Sequence, residues 1–161
     1  MVFAELFATL AAYGYIGAFV VSALGTASIF LPVPYYAIIF GMGALPAFDP
    51  VLLTIFSALG ATVGEFVGYA VGYGGRHFLR KKYKKYFAWG EKWFNRNGFL
   101  TIAVFAATPL PDDVIGLIAG SVEYKKSKFF LACFIGKLVL TAIIVFAGMY
   151  SLRYVMDYLG W

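Results

Sequence analysis

Four ionisable side chains stand in stretches that otherwise read as membrane-spanning: Glu65, Asp112, Asp113 and Lys137. Charge at membrane depth is costly, faces a protein interior or a wet cavity, and marks proton or substrate paths. A carboxylate there can take up and release a proton. Lys137 can compensate an acid or hold a lipid phosphate. These four are the candidate substrate- or proton-binding residues. Asp112 and Asp113 are adjacent and follow Thr108-Pro109-Leu110-Pro111. Asp is also a favoured N-cap, so the pair suits a helix opening at Val114, and both readings stay open.

The elements that must position these groups follow from the breaks. Two prolines remove backbone donors and clash with the preceding turn, so 99–119 is not one straight helix. Pro32 and Pro34 interrupt an earlier apolar run in the same P-x-P way. Each arm beside these breaks is too short to cross a bilayer as a helix. Broken backbone at membrane depth is tolerated only inside protein or along a cavity, which predicts re-entrant hairpins at about 24–47 and 99–122. Pro32, Pro34, Thr108, Pro109 and Pro111 are the hairpin-shaping residues.

Of 161 residues, 62% are hydrophobic, and the mean hydropathy is +0.82. A soluble domain is nearer half apolar. The chain reads as an all-α polytopic membrane protein, a single membrane domain over 1–161. About three spanning helices are expected, at 6–23, 51–73 and 129–152. The second carries Gly60, Gly64, Gly68 and Gly72, a four-residue ladder that lets another backbone approach one face. That ladder is an internal packing seam or the interface of a homo-oligomer.

The formal charge is +5, and eight of the thirteen Lys and Arg lie between Arg76 and Arg96. Aromatics recur among them at helical spacing, so 76–97 reads as one interfacial amphipathic helix, its lysines drawn to anionic headgroups. The positive-inside bias puts 76–96 in the cytoplasm, and Lys125, Lys126 and Lys128 with it. Segment 99–122 then enters and leaves by the cytoplasmic face. Counting outward, the chain is multi-pass in the cell membrane, with its N-terminus cytoplasmic and its C-terminus outside. Membrane lipids and protons are the expected partners, and the flanking apolar runs argue against nucleic acid.

The halves resemble each other. Pro32-Val33-Pro34 is followed by Gly43 and a helix with Gly60; Pro109-Leu110-Pro111 is followed by Gly120 and a helix with Gly136. With opposite orientations this is an inverted repeat with two facing hairpins, a pattern used by transporters.

Gly60-Ala-Thr-Val-Gly-Glu-Phe-Val-Gly-Tyr-Ala-Val-Gly-Tyr resembles the glycine-rich motif of the DedA family (the VTT or SNARE-associated Golgi protein domain). Phe105-Ala-Ala-Thr-Pro-Leu-Pro with Leu117-Ile-Ala-Gly resembles its second hairpin, and Leu31-Pro-Val-Pro its first. The resemblance covers roughly 25–148 and implies paired re-entrant hairpins and lipid translocation, with proton-dependent membrane homeostasis in bacterial members. Tyr35-Tyr36 stands where many members have a Glu, and Ala106 and Asp112 stand where they have arginines, so a phosphate site built on those arginines does not carry over. The chain looks like a short, divergent member.

The function expected is translocation of a phospholipid or polyprenyl-phosphate carrier, as a flippase or scramblase and with proton coupling open. The alternatives are a proton-coupled carrier of a small ion or solute, and a non-transporting membrane scaffold. No enzyme is expected: His77 sits in the basic stretch away from Cys133, and adjacent aspartates do not suit an aspartyl protease. No cofactor is implied, and no Cys/His spacing suggests a metal.

Overall fold

A computed structural model describes residues 12–27, 35–82, 84–108 and 113–159. Among them the protein is all helical: α1 (Gly14–Ala27), α2 (Tyr35–Ala44), α3 (Pro50–Lys82), α4 (Lys84–Ala106), α5 (Asp113–Ser121) and α6 (Lys126–Leu159). Two helical stretches are long and apolar enough to cross a membrane, Pro50–Phe78 in α3 and Lys126–Ser151 in α6. The 33 residues of α3 rise about 50 Å, against a hydrocarbon core of about 30 Å. With 14 and 10 residues, α1 and α2 are too short to cross.

The two long helices run antiparallel. Phe66 of α3 meets Phe129 of α6 edge-on at 5.3 Å, and further along Thr54 faces Thr141. The short helices pack on them as two helical hairpins. Tyr15 of α1 accepts a hydrogen bond from the Asp49 amide (2.9 Å), and Thr26 reaches the Ala61 carbonyl (2.9 Å). So α1 runs alongside α3 in the same direction, from its Pro50 end to its middle. α2 returns to the Pro50 end, packed on α6. Ala18, Val21, Ile38, Ile39, Met42, Leu53 and Val145 form that core.

The second hairpin is placed the other way round. Phe94 of α4 packs on Tyr124 (5.8 Å), and Gly136 of α6 abuts Ala103 and Ala106. α5 runs beside the second half of α3, with Gly116 against the Glu65–Tyr69 backbone and Glu123 bonded to Arg76. One helix pair therefore has its outer ends at the Pro50 end and the other at the basic end, and the described inner ends of both lie toward the middle.

Local signals explain the boundaries. Asp49 Oδ1 accepts the amides of Val51 and Leu52 at 2.9 Å. That is an N-cap, with Pro50 at the first helical position where it lacks no needed donor. α5 ends in a Schellman turn: Tyr124 N donates to Ala119 O (2.9 Å) and Glu123 N to Gly120 O (3.1 Å). Glu123 holds the left-handed position usual for glycine, with φ 57. This costs about 1–2 kcal/mol, and the Arg76 ion pair at 3.2 Å helps hold it there.

Several expected bounds differ. The helix expected to stop at 23 begins at Gly14 and continues to Ala27. The stretch 76–97 is not one helix: its first part ends α3 and the rest begins α4, which continues without a break into the second hairpin. Pro32, Pro34, Pro109 and Pro111 lie outside the described residues, as does much of the expected first span.

The glycine ladder serves two partners. A Cβ on Gly60 would press into the Phe19 carbonyl of α1, and one on Gly72 into the Leu117 carbonyl of α5. Gly64 abuts Ala23 and Thr26, and Gly68 is buried. A Cβ on Gly74 meets nothing. Gly60→Ala is therefore expected to lower stability in detergent by about 1–3 kcal/mol through overpacking. Gly74→Ala, the same chemical change, is expected to leave it equal or raise it by up to about 1 kcal/mol. Thermal unfolding of the two variants side by side checks this.

Candidate functional site

The middle of the molecule holds a buried ion pair. Lys137 Nζ of α6 lies 3.0 Å from Glu65 Oε1 of α3, with the side chains 0% and 2% exposed. Both belong to the membrane-length helices. Neither charge is stable at such a site alone, because removing a charge from water costs several kcal/mol and only the partner offsets it.

The residues next to the pair bring the hairpins to it. Gly64 precedes Glu65, and its bare face admits Ala23 and Thr26 at the end of α1. Gly136 precedes Lys137 and admits Ala103, Ala106 and the Ala107 amide at the end of α4. From a third side Gly116 of α5 sits against the Glu65 carbonyl. The inner ends of α1, α4 and α5 thus gather around the Glu65–Lys137 pair.

Hydroxyls continue this polar interior toward the Pro50 end. Ser22, Thr26, Thr54, Ser57, Thr62 and Thr141 are all buried. Thr141 donates to the Lys137 carbonyl (2.6 Å) and Thr62 to that of Ala58 (2.7 Å). The hydroxyls of Ser22 and Ser57 have no hydrogen-bond partner among the described residues. Buried hydroxyls without a protein partner are where water or a passing polar group gains most.

The other expected site residues are distributed as follows. Asp113 opens α5 one turn before Gly116, so its backbone is at the level of the pair. Asp112 lies outside the described residues with Pro109 and Pro111. Thr108 donates to the Phe105 carbonyl (2.8 Å) and closes the last turn of α4. Among the described residues no three His, Cys, Asp or Glu gather as metal ligands.

Two contacts at the basic end were not anticipated. Tyr69 donates to the Tyr124 carbonyl (2.6 Å), and Arg76 pairs with Glu123. Burial raises the Tyr124 phenol above its ordinary pKa, so it stays neutral at physiological pH. The only signals for these contacts were the tyrosine of the glycine motif and one acid set among lysines.

With this geometry in view, the chain belongs to the VTT domain family, whose model matches residues 31–150. An uncharacterized protein of Haemophilus influenzae is 24% identical over 116 residues, which cover 69% of this chain and 60% of that protein. An uncharacterized protein of Methanocaldococcus jannaschii is 30% identical over 139 residues, 83% of this chain and 82% of that one. The chain thus spans less than two thirds of the Haemophilus protein. No solved structure matches it.

The pair generates a double-mutant test. Lys137→Met or Glu65→Leu alone leaves a lone buried charge and is expected to cost about 3–5 kcal/mol. The double variant is expected to recover most of that loss. Unfolding in detergent of both single variants and the double variant checks the coupling; additive losses would contradict it.

Proposed function

We propose that this protein moves phosphate-bearing lipids across the membrane, with the Glu65–Lys137 pair at the centre of the path. One observation carries the reading: a fully buried acid–base pair between two membrane-length helices, flanked by the inner ends of hairpins that open at opposite ends. Membership of a membrane family linked to lipid-related transport supports it.

The hairpins are re-entrant in this reading, and the chain is an inverted repeat. Support comes from matched contacts. Gly120 abuts Tyr69 while Gly43 abuts Val145, and Gly72 abuts Leu117 while Gly148 abuts Phe40. Each member of the first half maps onto the second by a near-constant step, which also carries Gly60 to Gly136. The same step sets Glu65 against Thr141 and Ala61 against Lys137, so the charges break the symmetry and a hydroxyl and a methyl stand at their counterparts.

Orientation follows from charge. Arg76, Glu123 and Lys126 meet at one end, the last with its ammonium 5.8 Å from the Tyr73 ring centre. Both basic clusters therefore share a side, which the positive-inside bias makes cytoplasmic. The Pro50 end and the C-terminal part of α6 are outside. The side of the N-terminus depends on residues 1–11, outside the described residues.

The mechanism uses exchange of partners. An incoming headgroup phosphate competes with the Glu65 carboxylate for Lys137. Glu65, released, takes a proton, so no lone negative charge is left buried. As the headgroup leaves, Glu65 gives up the proton and the pair re-forms. Asp113, which opens α5, and its sequence neighbour Asp112 would guide the exchange.

Proteoliposomes with a fluorescent-headgroup phospholipid and an impermeant quencher test this. The wild type is expected to expose inner-leaflet lipid. The folded Glu65→Leu/Lys137→Met double variant is expected to lose activity at least about tenfold, as are Asp112→Asn and Asp113→Asn. Full activity in the charge-free variant, or solute uptake without lipid movement, would overturn the reading.

A further inference from the structure

The outer face of α4 takes no part in the paired centre, yet its residues are arranged as a binding site. At its open end α4 turns Phe94 inward against Tyr124, where it is 4% exposed. The opposite face carries Lys92, Trp93 and Arg96, all exposed. Together with Asn97 they line a cavity of about 250 Å³. Trp93 Nε1 donates to Thr101 Oγ1 (3.3 Å), which lays the indole along the helix as one wall.

We propose that this cavity binds the phosphate of an anionic membrane lipid, whose acyl chain then lies along Leu100 and Val104. Lys92 and Arg96 are one helical turn apart, so both charges converge on one ligand. The guanidinium fork matches two phosphate oxygens, the ammonium adds a point charge, and the Asn97 amide donates a further hydrogen bond. Beyond Arg96 the same face turns apolar: Leu100 is 68% and Val104 52% exposed. These follow at one and two turns, a run of about 12 Å. A mostly apolar hollow bordered by two exposed cations and continued by an exposed apolar stripe is the outline of a phospholipid and not of a free phosphate, for which the stripe would be idle. The indole between the two parts sits where Trp is enriched, at the headgroup level.

This site is separate from the transport path. Its residues face away from the core that Phe94, Ile102 and Ala106 join. Arg96 lies about 15 Å along the helix from Ala106, which abuts Gly136 beside the paired centre. The lipid held here is resident, and it fixes the depth at which the second hairpin enters the leaflet. The inference stands whether or not the protein moves lipid.

The chain has three tryptophans. With Trp89→Phe and Trp161→Phe, Trp93 alone reports. Titration with brominated-chain phosphatidylglycerol in detergent is expected to quench it saturably, while brominated phosphatidylcholine needs at least about tenfold more. Lys92→Gln/Arg96→Gln, at exposed positions, is expected to leave the unfolding temperature unchanged and raise the phosphatidylglycerol midpoint about thirtyfold. Lys125→Gln/Lys128→Gln removes the same charge outside the cavity and is expected to move the midpoint far less. Equal shifts in the two double variants would reduce the effect to diffuse attraction and overturn the site. So would equal quenching by the two lipids, or displacement by inorganic phosphate at matching concentration.

Discussion

The burial of Glu65 with Lys137 constrains the rest of the structure. Two opposite charges inside a membrane-length helix pair are tolerable only together and only away from lipid. That requires α3 and α6 to cross with these two residues face to face, and further protein to close the remaining sides. The small residues beside each charge meet the second requirement. Gly64 and Gly136 let other backbones come in where a side chain would hold them off. Of the helices that come in, α1 and α5 are too short to cross a bilayer and α4 is not apolar enough along its length to do so, so the pair's enclosure and these helix ends are one arrangement.

That arrangement also rations flexibility. Contacts between glycine faces and carbonyls allow little sliding, because each is a close backbone approach on both sides. The buried hydroxyls are different: most are satisfied by carbonyls of their own helix, while Ser22 and Ser57 are not. The interior therefore combines rigid glycine seams with a polar line that can accept a guest. At the basic end the left-handed Glu123 turn, tied by Arg76, sets where the second hairpin closes and α6 begins.

The helical class, the membrane character and the two long helices were legible in composition and run length, because a long apolar stretch must satisfy its own backbone and does so as a helix. Glu65 was legible as an acid that needs a counterpart at membrane depth, with Lys137 among the candidates, while the sequence put more weight on Asp112 and Asp113. Which counterpart was not: Glu65 could have met a proton, water or Lys137, and only the antiparallel crossing of α3 and α6 selects the last. Boundaries were harder. Ala23 and Leu24 carry no breaker, so α1 runs on. In the basic stretch the aromatics keep a helical period on both sides of Tyr83, so periodicity shows one helix where there are two. Asp49 as a cap was readable from Asp49-Pro50, because Asp is a favoured N-cap and Pro a favoured first helical residue.

The central claim is that the Glu65–Lys137 pair is enclosed by hairpins inserted from opposite faces. Impermeant-thiol labelling in sealed vesicles tests it most directly, with Cys133, the one native cysteine, replaced by serine. Single cysteines at Lys92 and Lys125 flank the second hairpin, and one at Ala47 follows the first. The account predicts that Lys92→Cys and Lys125→Cys label from one side and Ala47→Cys from the other. Labelling of Lys92→Cys and Lys125→Cys from opposite sides would mean that 99–122 crosses the membrane, and would contradict it.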